Sequence, residues 1–239
     1  MRKNEAVNPR LDHPWNLSQD AAEKTRAALA GQRDPRPAHP TFAGVRRVAV
    51  AAVGDRGAGL VVCDWPSGRC RRRVRAGAPR EAVFLPTAPT FLAAQTLDPA
   101  LSALAEPPDV LIVEEDAIRP GGFGLADHLG VRWGVPSVGV SLRCAGDWEE
   151  PPPGLDGAHV FVKDGGVPAA LAVRARAHRP PLFVAPGHRV DLLGALEIVL
   201  SLPLAPRAPW PRALALARSV AAKKAPRGRA GFPRRRKVL

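Results

Sequence analysis

A chain of 239 residues with 46 % apolar content can bury one sizeable core. No apolar run reaches the roughly 18 residues of a membrane span, and the opening MRKNEAVNPRLDHPW lacks the apolar stretch of a secretory leader, so a cytoplasmic setting without a membrane partner is expected. The formal charge of +13 disfavours cationic ligands and points to polyanions, nucleic acid first. Arg, Ala and Pro are abundant throughout, so where the charge lies says more than its sum. Cys63, Cys70 and Cys144 fit neither a zinc spacing nor a disulfide framework, and reduced thiols are expected.

Residues 1–12 read as a flexible polar start. HPWNLS, 13–18, leads into a helix over about 19–30, with Ser18 as its N-cap and Asp20 in its first turn. GQRDPRPAHP, 31–40, ends it. Three strand-like runs follow at about 42–53, 60–65 and 69–76, separated by turns at 54–57 and 66–68, and they predict an antiparallel meander. The third run, RCRRRVRA, is either an edge protected against aggregation or a face for phosphates.

The second half alternates. A helical pattern over 91–106 carries Pro99 near its start or at a kink. DVLIV, 109–113, is a continuous apolar run of the kind a buried parallel strand shows. A helix over 123–134 stops at a glycine. PSVGVSL, 136–142, is another buried strand, 158–164 and 169–176 form a hairpin, and PLFVAP, 181–186, runs into Gly187-His188 and a helix over 190–202. A last helix covers about 211–222. This order predicts an α/β protein with a mixed sheet, a three-strand antiparallel meander plus parallel strands, and helices on both faces, compatible with a ribonuclease H-like fold. The domain is expected over 13–222, and the acid-free stretch 223–239, with Lys223, Lys224, Arg234, Arg235 and Arg236 among its cations, reads as a disordered tail that contacts nucleic acid.

Four stretches carry a family resemblance. They are HPWNLS at 13–18, DVLIVEEDAIRPGGFGLADHLGVRWGVPSVGV at 109–140, PLFVAPGHRV at 181–190, and Phe84-Leu85-Pro86. In that order they resemble endonuclease V, the deoxyinosine-specific nuclease family. The resemblance implies nucleic-acid repair by metal-assisted phosphodiester hydrolysis. Mg²⁺, or Mn²⁺, would serve as cofactor, with DNA ahead of RNA as partner and a monomer as the working unit. It also implies that Phe84, Leu85 and Pro86 act as a wedge filling the gap left by a flipped base.

Checked against the family's motifs, the metal ligands are incomplete. The first aspartate falls at Ala49, or at Arg46 if the alignment is ungapped, and the glutamate falls at Leu97, with Asp98 one position away. The second aspartate corresponds to Glu114, at the end of a buried strand, where open sheets place ligands. Glu115 and Asp116 follow it, so this end is either a solvated strand terminus or a rebuilt acidic site. The family lysine falls at Leu142, with Arg143 beside it, and the histidine of the GHRV segment is His188, followed by Arg189 and Asp191. The expected sites are therefore Glu114 and His188 for catalysis, Glu114, Asp116 and Asp191 for metal, and Phe84, Leu85, Pro86, Arg143, Arg189 and the tail cations for nucleic acid. With two carboxylates missing, a nucleic-acid-binding homologue without cleavage is the alternative.

Overall fold

The computed structural model describes residues 8–39, 42–79, 90–119, 122–206 and 208–223. The elements are α1 (Gln19–Ala30), β1 (Arg47–Gly54), β2 (Gly57–Asp64), β3 (Cys70–Gly77), α2 (Thr90–Ser102), β4 (Val110–Glu114), α3 (Leu125–Trp133), β5 (Ser137–Ser141), β6 (Ala158–Asp164), β7 (Val167–Arg174), β8 (Leu182–Pro186), α4 (Leu192–Leu200) and α5 (Arg212–Ala221). The strands form one eight-stranded sheet in the order β3-β2-β1-β4-β5-β8-β7-β6. β1, β4 and β5 run parallel, while the β1–β2–β3 meander and the β5–β8–β7–β6 half pair antiparallel. The mixed sheet expected from sequence is present.

Strand side chains alternate between faces, and the burial follows that period of two. Val48, Val50, Ile112, Val138 and Val184 meet α4 and α5 through Ile198, Leu214 and Ala217 on one face. Ala49, Ala51, Leu60, Leu111 and Val113 meet α2 and α3 through Leu97, Leu101 and Leu129 on the other. α5 crosses β2 so closely that Gly59 has no space for a Cβ, which would collide with the Ala217 carbonyl and Val220. α1 opens as expected, the Ser18 hydroxyl accepting from the Ala21 N–H at 3.3 Å.

The ordered chain reaches ahead of His13. The Leu11 N–H donates to the Arg132 carbonyl at 2.9 Å, and Asp12 pairs with the Arg132 guanidinium at 2.9 Å. The HPWNLS motif docks on α3. His13 Nε2 lies 2.9 Å from His128 Nε2, and Trp15 stacks on the His128 ring.

Candidate functional site

β4 ends at Glu114, and Glu115 follows it, the two facing opposite sides of the sheet. Glu114 points to the α5 face. Arg218 Nε donates to its Oε2 at 2.8 Å, the second guanidinium nitrogen binds Oε1, and the guanidinium lies 4.9 Å from the centre of the Trp210 ring. This bidentate pair is the strongest ordinary form of carboxylate recognition. Each side chain is 30 % exposed.

Glu115 points to the α3 face and is buried. Its carboxylate accepts from the Leu125 and Ala126 N–H groups at the start of α3, which satisfies two donors the helix cannot bond itself. Gly139 of β5 makes the space, because a Cβ there would collide with Glu115 Oε1. Arg119 reaches Glu115 at 3.4 Å and Asp127 at 2.7 Å, and its other nitrogen donates to the Pro186 carbonyl at 3.0 Å. Asp127, fully buried, also pairs with Arg33 at 2.7 Å and accepts from the Gly124 N–H at 2.9 Å. Burial pushes the Glu115 carboxyl up to about 7, against the pull of Arg119 and the two helix N–H groups.

The metal that the resemblance implies needs several oxygen ligands, about two of them carboxylates. The residues present do not fit it. Both Glu114 oxygens are taken by Arg218. One step beyond the Ala51–Val113 pair, β1 sets the buried Ala52 beside Glu114, with no carboxylate to offer. Ala49 and Leu97 are fully buried in the apolar core against α2, and Arg46 sits at the other end of β1, its N–H donating to Asp109. Among the described residues, no three His, Cys, Asp or Glu side chains gather as a metal would require.

Other expected site residues divide between the two ends of the sheet. Asp116 shares a cavity of about 220 Å³ with Glu114 and Glu115, and one of about 310 Å³ with Arg143. These residues lie at the C-terminal ends of β4 and β5. His188, Arg189 and Asp191 lie at the opposite end, because β8 runs antiparallel to β5 and delivers them beside Ser137, level with Leu111 at the start of β4. There His188 is held as a latch. Its N–H donates to Ser137 Oγ at 2.9 Å, its carbonyl accepts from the Ser137 N–H at 2.9 Å, and its Nδ1 accepts from the Asp34 N–H at 3.1 Å. Asp191 caps α4, accepting from the Gly194 N–H at 2.7 Å. The structure therefore brings Glu114, Asp116 and Arg143 to one end and does not bring His188 or Asp191 to them.

Asp98 is engaged elsewhere, accepting from Arg132 at 2.8 and 3.1 Å and from the Trp133 indole at 3.0 Å. Lys223 follows α5, and its carbonyl accepts from Arg75 at 3.0 Å. Phe84, Leu85, Pro86, Lys224, Arg234, Arg235 and Arg236 lie outside the described residues. Sequence reasoning missed Arg218. Its signal was available: Arg218 is four residues after Leu214 and three before Ala221, both buried, so the helical period turns it toward the sheet.

The family model described as Endonuclease V matches residues 27–217. Endonuclease V of Thermus thermophilus is 37 % identical over 209 residues, covering 76 % of this chain and 92 % of that protein. The crystal structure of endonuclease V from Streptomyces avermitilis superposes with a TM-score of 0.72 at 27 % identity, covering 91 % of this chain and 96 % of that one. Endonuclease V of Ciona intestinalis, solved with a 24mer DNA containing an inosine followed by a ribo-adenosine, shares the fold at a TM-score of 0.62 and 17 % identity, covering 83 % of this chain and 93 % of that one. The expected ribonuclease H-like architecture is the one these structures share.

Proposed function

The chain belongs to the endonuclease V family, and we propose that it binds inosine-containing nucleic acid, DNA ahead of RNA, without cutting it by the family's metal-assisted route. The carrying observation is the Glu114–Arg218 pair, which sets a guanidinium against the acid that matches the family's second aspartate. A cation fixed there satisfies both carboxylate oxygens and repels a divalent ion. With the buried Ala52 beside it on β1, and Ala49 and Leu97 in the apolar core on the other face of the sheet, no second carboxylate recruits Mg²⁺ or Mn²⁺. Binding requires only a basic surface and a pocket end, and the net charge of +13 favours it. The working unit in this reading is a cytoplasmic monomer.

A second reading keeps cleavage. It is favoured by one observation, that Glu114 and Asp116 border the same cavity. One experiment separates the two. Labelled single-stranded and duplex oligonucleotides, with and without inosine, are incubated with the purified protein in Mg²⁺ and then Mn²⁺, and both binding and nicking are followed. Binding with no nicking above the protein-free control is the expected result. Nicking that disappears in Glu114→Ala would overturn it.

A further inference from the structure

We propose that the free edge of β3 is a second nucleic-acid surface, a track for the phosphate backbone that leads away from the Glu114 end of the sheet. The inference rests on the nucleic-acid reading above and adds where the backbone is gripped.

β3 is the first strand of the sheet and pairs only with β2 among the described residues. Between Asp64 and Glu81 the sequence has no acid, and it carries Arg69, Arg71, Arg72, Arg73, Arg75 and Arg80. Register places the arginines of β3 on both sides of the edge. Arg72 stands opposite Val62, whose face is that of α2, whereas Arg73 stands opposite Val61, whose face is that of α5. A few charges are enough to protect an edge strand from pairing with another chain. The density here exceeds that need and costs the folded state through like-charge repulsion.

Backbone carbonyls hold the guanidiniums of Arg72 and Arg75. Arg72 donates to the Ala103 carbonyl at 2.7 Å. Arg75 donates to the Arg56 carbonyl at 2.7 Å and the Lys223 carbonyl at 3.0 Å, and Arg56 donates to the Ala222 carbonyl at 3.2 Å. Neutral carbonyls fix these groups in place without cancelling their charge. Among the described arginines of the row, Arg71 alone is neutralised, by Asp64. Arg73 is exposed and makes no hydrogen bond or ion pair to a described residue. A row of oriented, uncancelled guanidiniums suits phosphate oxygens, which Arg binds in fixed geometry.

The track has a direction. β3 runs antiparallel to β2, so its C-terminal residues lie beside Gly57 and the β1–β2 turn. Asp55 and Arg56 of that turn line a cavity of about 440 Å³ with Glu114 and Arg218. A strand held at the Glu114 end can therefore continue past Arg56 and Arg75 onto Arg73 and Arg72. The contacts involve no base edge, so this surface adds affinity and salt dependence, not sequence preference.

The test measures binding of an inosine-containing single strand and duplex by anisotropy at salt concentrations between 50 and 200 mM, on the order of the range where phosphate contacts are read. For wild type, log Kd against log salt gives the slope. Arg73→Gln, which disturbs no hydrogen bond, is expected to reduce that slope by about 0.7 on the single strand and about 0.9 on the duplex. The triple variant Arg72→Gln, Arg73→Gln, Arg75→Gln is expected to reduce it by about 2 to 3. The triple lysine variant, which keeps the charge, should retain most of it. If wild type binds and the glutamine variants keep its slope, the track is overturned while the nucleic-acid reading stands. If wild type binds neither oligonucleotide at the lowest salt, both fail.

Discussion

Glu114 and Glu115 are adjacent in the chain, yet the pleat of β4 sends them into different environments. Glu115 enters a closed network in which Arg119, Asp127 and Arg33 join the start of α3 to the end of β8. Glu114 stays at a half-open cavity, matched to one arginine from the far end of the chain. The first network organises the scaffold. The second is a partly exposed ion pair at the end of β4. The scaffold and the reaction are thus held by separate sets of charges, and one can be lost while the other persists.

The heaviest cost lies on the closed side. Asp127→Ala should destabilise the protein by about 3–5 kcal/mol in denaturant titrations, because it leaves the buried Arg119 and the Arg33 guanidinium without their shared partner. A loss under 1 kcal/mol would break the comparison.

The pH dependence comes next. Burial raises the Glu115 carboxyl from 4.5 to about 7 in the folded protein. The native state then holds the proton more tightly than the unfolded chain, so this group's contribution is complete below about pH 4.5 and is lost as pH rises through about 7. The span corresponds to about 3 kcal/mol at most. In thermal melts across that window the wild type should lose stability relative to Glu115→Gln as pH rises, the difference growing from about pH 4.5 to about 7. Parallel curves would show that the helix N–H groups keep the carboxylate ionised.

On the open side the effects are smaller. Arg218→Gln should cost about 1 kcal/mol or less, since the pair is partly solvated and screened. The smallest expectation is a null one. Millimolar Mg²⁺ or EDTA should leave Tm unchanged within error, because a ligand that does not bind the folded state does not stabilise it. A saturable rise in Tm with Mn²⁺ would mean that Arg218 yields its place to a metal.

Much of the scaffold was legible. Continuous apolar runs gave β4, β5 and β8, and turn residues at 54–57 and 66–68 gave the meander, because both signals are local. The site was legible only in part. The resemblance sets the first aspartate at Ala49 or Arg46 and the glutamate at Leu97, whereas strand register puts Ala52 beside Glu114. The partner of Glu114 was not legible, because Arg218 is 104 residues from Glu114. The matched GHRV motif alone groups His188 and Asp191 with Glu114. Strand direction decides which end of the sheet they reach, and nothing in PLFVAP reveals that β8 runs against β5.

The close crossing of α5 over β2 bears on how the molecule is made. Val48, Val50 and Val61 of the meander share a core with Leu214 and Ala217, more than 150 residues later in the chain. During synthesis at about 5–20 residues per second, the hairpin strands emerge well before the helix that seals them. One apolar face of the meander waits uncovered until the last helix arrives, and such distant pairings slow folding. β3 lies at the edge of that waiting sheet, where a few of its arginines are enough to discourage pairing with other chains.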